Sequence, residues 1–309
     1  MREAQKYDWE NLLFLDIETV PVVQELSDPN TTLYESFSYG GKNGTTHEEI
    51  VEQWPKVAAL SPEFGKIVCI TTGWVREGEI ILKDFYGTDE NKILHDFNEF
   101  MELYGQSHRR NTLAGHAVKG FDVPFIFRRM LIHGIEPAEL LDTGGLKPWE
   151  INYLDTKDLW QAGSYRPSSL IHIAVAMGIE SPKDDITGAD VGRVYYEAEE
   201  GYLERIATYC AKDVITPIRL VSMWKGEGDS LKVRQSEATF EKQPLIIELF
   251  NGGKITTKNR DELVTLIANV NPDHMKDIFS ALVASKTSKV TATQVKNFYE
   301  YFDKVNERA

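Results

Sequence analysis

The chain has 309 residues, 42% hydrophobic and 27% charged, a balance that supports a substantial core and excludes a disordered polymer. Nowhere do about 18 apolar residues run together, and the charged stretch Met1 to Glu10 lacks the apolar core of a secretion signal, so no membrane span is expected and a cytoplasmic location is. The net charge of −14 counts against a processive clamp on long duplex, because neutralising many phosphates needs a basic surface.

The acidic excess is uneven. Residues 240–309 carry ten basic against nine acidic residues, so the deficit lies in the first 239. An acidic bulk is compatible with a narrow basic track and with weak, salt-sensitive, short-footprint binding. The two cysteines, Cys69 and Cys210, lack metal-type spacing and read as buried thiols in a reducing compartment.

In chain order, Asn11 to Val20 is apolar apart from Asp16 and Glu18, the pattern of a strand covered on both faces. Residues 22–57 are polar, with little periodicity until about 48–54, and are expected to form a long loop with one short helix. Lys66 to Val75 and Glu79 to Tyr86 flank Arg-Glu-Gly and predict a β-hairpin. Asp89 is placed to cap a helix running through Tyr104, with Ile93, Leu94, Phe97, Phe100 and Met101 on its inner face. Thr112 to Val118 predicts a short strand, and Phe121 to His133 a helix stopped by Gly134. Tyr153 to Asp155 predicts a last short strand. Helices are expected at about 168–177, 189–198 and 202–225. The order of strands and helices specifies an α/β sandwich around a mixed sheet.

Gly226 to Glu241 breaks the pattern and marks a boundary. Beyond it, amphipathic segments at about 259–270, 273–285 and 292–306 predict a small helical appendage. The expected domains are therefore 1–239 and 240–309.

The chemistry-bearing residues are acidic. Asp16 and Glu18 stand two apart on a strand, so both emerge on one face. Carboxylates that close repel each other unless a cation lies between them, and hard divalent ions are the usual relief. Asp122 follows Phe121 at a helix start, where the macrodipole alone would favour it. Tyr209 and Asp213 stand four apart on one helical face. Singly, each motif also fits a plain structural role; their order and spacing carry the weight.

Together these motifs resemble the proofreading 3′–5′ exonucleases of the DEDD superfamily, in the branch whose last motif carries tyrosine. In particular the chain is similar to stand-alone proteins related to the exonuclease domain of family B DNA polymerases. Leu60 to Ile70 resembles that group's second strand, and Leu170 to Gly178 followed by Lys183 to Gly188 precedes the last motif as it does there. The resemblance spans about residues 11–225. It implies a ribonuclease H-like domain with a mixed five-stranded sheet. It also implies hydrolysis from the 3′ end of single-stranded nucleic acid, DNA preferred, releasing 5′-monophosphates with two Mg²⁺ or Mn²⁺ ions.

By the same resemblance, Asp16, Glu18 and Asp213 hold one ion, Asp16 and the scissile phosphate hold a second, and Asp122 acts on the second through water. Tyr209 orients the attacking water. Ile17, Thr19, Phe121 and Phe125 are placed to contact the terminal bases, Phe125 being equally a core residue by its spacing. Lys119 is the favoured phosphate contact, with Lys212 also near the motifs, while Arg128 and Arg129 are expected to be solvated. One position departs from the family: the asparagine usual five residues before the second aspartate is Ala117. His116 beside it is a candidate substitute in gripping the strand, though a strand histidine pointing into polar surroundings is the leading reading. An exoribonuclease acting on short RNA and a catalytically silent binding module are the competing readings. For 240–309, packing support is the leading reading, with a lid over the strand and a surface for a protein partner also open.

Overall fold

The computed structural model describes residues 1–107, 111–164, 168–179 and 186–235. The chain divides into two units, Met1–Met101 with Arg110–Ser236, and Glu102–Arg109 with Glu237–Ala309. The sheet and the site belong to the first. The three helices expected beyond residue 240 lie outside the described residues.

Strand β1 (Leu12–Pro21) is buried along nearly its whole length, as its apolar run requires. Two helices follow, α1 (Thr32–Ser38) and α2 (His47–Val57), where one short helix was expected. Thr31 caps the first, its hydroxyl accepting the Tyr34 N–H at 3.2 Å, and a Thr46–Glu49 capping box starts the second. Tyr34, Phe37, Ile50 and Trp54 bury against one another, an apolar cluster spaced too irregularly to announce itself.

Strands β2 (Gly65–Arg76) and β3 (Glu79–Tyr86) form the expected hairpin. Its turn residues Glu77 and Gly78 both have positive φ, 53° and 78°, as a two-residue type I′ connection demands. Then come α3 (Glu90–Ser107), β4 (Thr112–Gly115), α4 (Asp122–Ile132), β5 (Leu154–Asp155), α5 (Thr156–Gln161), α6 (Leu170–Ala176), α7 (Val191–Glu197) and α8 (Tyr202–Lys225). The short α5 was not expected from the sequence.

The sheet has six strands, in the order β5-β4-β1-β2-β3-β6, not five. The sixth, β6 (Lys232–Gln235), pairs parallel to β3 through a register of Glu79 with Lys232. Its residues are all exposed, so it has no apolar alternation and is held by backbone pairing and a 3.2 Å Arg234–Glu79 ion pair. β1 lies inside the sheet, antiparallel to β2 and parallel to β4.

Helix α8 packs on this sheet along Ile206, Cys210, Val214, Ile218 and Val221, a buried stripe of helical period. Gly73 permits the close approach: a Cβ there would lie 2.6 Å from Val214 Cγ1. Arg129 also departs from its expected solvated role. It is buried on α4, its Nε donating to Glu90 Oε1 at 2.8 Å and one terminal nitrogen to the Pro62 carbonyl at 2.9 Å. Glu90 in turn accepts the Ile67 N–H at 2.8 Å, so one buried pair ties α3, α4 and β2 together.

Candidate metal centre

Asp16 and Glu18 project from the same face of β1, opposite Thr71 and Cys69 of β2. The pairing register shifts between Glu18 and Thr19, a bulge that ends the regular ladder immediately after the second carboxylate. Asp122 opens α4, and its Oδ1 accepts the backbone N–H of Ile17 at 3.2 Å. The second-motif carboxylate therefore reaches the backbone between the two first-motif carboxylates. Tyr209 stands one turn before Asp213 on α8, close enough for each to shift the other's titration, and Cys210 between them lies with its Sγ 3.5 Å from Asp16 Oδ2.

The turn that aims Asp122 is built on Asp155. That carboxylate, 3% exposed at the end of β5, accepts the N–H groups of Ala117 (2.9 Å), Lys119 (3.2 Å) and Lys157 (2.9 Å). Thr156 donates to the Gly115 carbonyl at 3.0 Å. Ala117 is left-handed at φ 65°, a conformation that costs an alanine but suits glycine or asparagine. The strand expected to reach Val118 stops at Gly115 because the chain turns here.

Electrostatics mark the cluster. Asp16 is pushed well above the carboxylate range by burial, then by Asp122, Asp213 and Glu18. Glu18 is raised by burial, then by Asp213, Cys69 and Asp122. Burial lifts Asp122 to about 7 and Asp213 to about 6. Among the described residues no lysine, arginine or histidine forms an ion pair with Asp16, Glu18 or Asp122, and the Glu18 carboxylate, 7% exposed, accepts no hydrogen bond. Buried carboxylates gathered in this way call for cations. An all-oxygen donor set of this kind suits hard divalent ions such as Mg²⁺ or Mn²⁺.

The other sequence-predicted residues divide by exposure. Ile17 (5%), Thr19 (9%) and Phe125 (1%) are buried, the Thr19 hydroxyl donating to the Ala59 carbonyl at 2.6 Å. Phe121 is half-buried, its ring centroid 5.5 Å from that of Phe125. His116 Nδ1 lies 3.0 Å from the Thr156 hydroxyl, and burial lowers its pKa from the ordinary imidazole value. Lys119 reaches Asp158 at 3.2 Å.

Sequence reasoning missed Asp155 and Cys210. An aspartate before Thr-Lys-Asp is an N-cap signal that could have revealed α5 and Asp155 together. Nothing in the sequence announced that the Cys210 thiol faces the carboxylates.

A family model described as the RNase H superfamily matches residues 58–225, more than half of the chain. The matched segment includes Asp122, Tyr209 and Asp213 and begins after β1. None of the curated proteins compared with the chain matches it. Among solved structures, the family B DNA polymerase from the hyperthermophilic archaeon Pyrobaculum calidifontis is similar at 14% identity and a TM-score of 0.45. The match covers 69% of this chain and 24% of that one, so the chain corresponds to about a quarter of the polymerase.

Proposed function

The chain belongs to the RNase H superfamily, and from that membership and the carboxylate cluster we propose that it is a metal-dependent 3′–5′ exonuclease acting on single-stranded nucleic acid, DNA preferred. The observation that carries the reading is Asp122 accepting the Ile17 N–H, which brings the second-motif acid to the Asp16–Glu18 strand. The released product is a nucleoside 5′-monophosphate. Two divalent cations, when bound, supply charge stabilisation for the attacking and leaving oxygens of an in-line displacement.

The chain's own residues then have distinct tasks. Asp16, Glu18 and Asp213 hold the cations, and Asp122, fixed to the strand backbone, closes the site from the α4 side. Tyr209 keeps its proton at neutral pH, since burial and Asp213 raise its pKa above the usual phenol range. It orients water by hydrogen bonding and does not serve as a base. Asp155 is a positioning residue: by holding the Ala117 and Lys119 N–H groups it sets the entry of α4. The family's strand-gripping asparagine is replaced here by Ala117, so strand affinity falls more heavily on Lys119 and on Phe121.

The test uses full-length protein, Mn²⁺ and a single strand labelled at either end. The 3′-labelled strand is expected to release labelled mononucleotide first, with Asp16→Ala inactive. Equal activity of the two proteins, or release from the 5′ label first, would overturn the proposal. Matched RNA and DNA oligomers decide the substrate class, faster RNA turnover contradicting the DNA preference.

A further inference from the structure

We propose that the same pocket has a second, thiol-containing binding mode, in which Asp16, Glu18 and Cys210 together hold one thiophilic divalent cation of the zinc and cadmium class. One ligand atom from each of these residues lies within 4.8 Å of the others. Cys210 Sγ stands 3.5 Å from Asp16 Oδ2. Around a tetrahedral zinc ion, with metal–sulfur bonds of about 2.3 Å and metal–oxygen bonds of about 2.1 Å, neighbouring sulfur and oxygen ligands lie about 3.6 Å apart. The Cys210–Asp16 pair already has that span.

A second observation points to the same ion. Glu18 is 7% exposed, and among the described residues its carboxylate accepts no hydrogen bond, although it sits within the ligand cluster. Its oxygens meet no hydrogen-bond donor among the described residues. Cys210 is fully buried beneath the carboxylates and donates weakly to the Asp16 carbonyl at 3.4 Å, so the sulfur is held in place before any ion arrives. Coordination displaces the thiol proton to solvent, as it does for thiols that ligate zinc.

The consequence is selectivity by softness. Hard ions use the carboxylates alone, whereas a zinc-class ion recruits the sulfur as well and is held more tightly. Occupancy of this mode excludes the hard ion that Asp16 and Glu18 would otherwise hold, so zinc-class ions act as inhibitors of the proposed nuclease. That inhibition rests on the nuclease reading; the binding mode does not.

Cadmium chloride titrated into the full chain, without nucleic acid or other metal, reads the mode directly through the ultraviolet charge-transfer band of a cadmium thiolate. The chain has only two cysteines, so variants at Cys69 and Cys210 decide the source of the band. A single-equivalent band is expected in the unsubstituted protein and in Cys69→Ala, and none in Cys210→Ser or Cys210→Ala. Glu18→Gln should weaken cadmium binding about tenfold or more, as loss of a supporting group does at other metal sites. Absence of the band from the unsubstituted protein, its survival in Cys210→Ala, or its loss in Cys69→Ala would overturn the proposal. Since no strand is hydrolysed in this experiment, its failure is separable from failure of the nuclease reading.

Discussion

Replacing Asp122 by asparagine keeps the oxygen that accepts the Ile17 N–H at 3.2 Å and removes only the charge. In the metal-free protein that charge is costly. Asp122 is 2% exposed, and burial lifts its pKa from an ordinary 3.8 to about 7. The folded chain therefore binds more protons than the unfolded chain between those values, and stability falls as pH rises through that window. At about 1.4 kcal/mol per pKa unit, the penalty approaches about 4 kcal/mol near pH 8 and is about 2 kcal/mol near pH 5.

Asp122→Asn abolishes this pH dependence, so its stability relative to the unsubstituted protein should improve by about 2–3 kcal/mol from about pH 5 to about pH 8. Denaturant unfolding in the presence of a chelator measures it at both pH values. Mn²⁺ at about a hundred times its Kd should narrow the variant's advantage near pH 8, because it adds about 2.7 kcal/mol to a protein that binds it, and the variant has a damaged site. An unchanged difference between the two pH values would refute the reasoning, as would a variant that gains as much from Mn²⁺ as the unsubstituted protein.

Other perturbations separate the roles. Asp213→Ala should abolish Mn²⁺-dependent release of mononucleotides while Tyr209→Phe leaves measurable turnover; the reverse order in a labelled-strand assay would contradict the assignments. Ala117→Asn should raise stability by about 0.5–1 kcal/mol, since asparagine tolerates the left-handed conformation at φ 65°, and should lower KM for single strands; thermal unfolding and steady-state kinetics read the two effects. Glu90→Gln should cost about 3–5 kcal/mol in denaturant unfolding, because it leaves the buried Arg129 guanidinium without its counter-charge. Gly73→Ala should cost about 1–3 kcal/mol through overpacking against Val214, and by displacing α8 it should reduce kcat more than it raises KM.

What the sequence made legible follows from which interactions are local. The apolar run of β1 and the helical periods of α4 and α8 are local patterns, and their elements appear within a few residues of expectation. The Asp-x-Glu spacing on a strand likewise determined that both carboxylates share a face. The sixth strand was illegible because Lys232–Gln235 owes its place to backbone pairing with β3, which leaves no hydrophobic trace. The burial of Arg129 depends on Glu90, 39 residues earlier, and no periodicity encodes such a pair. Asp155 and Cys210 join the candidate site only when β5 pairs with β4 and α8 packs on β1; their residue types were visible, but their company was not. Phe125, whose spacing fitted either base contact or core, packs at 1% exposure.

The central claim is that folding gathers Asp16, Glu18, Asp122 and Asp213 into a pocket whose negative charge is relieved by divalent cations. Anomalous diffraction from crystals soaked in Mn²⁺ and a nucleoside 5′-monophosphate measures this most directly. Manganese peaks bounded by those four side chains, with the nucleotide phosphate beside them, are the expected result. Peaks elsewhere, or none in a pocket that diffracts well, would contradict it.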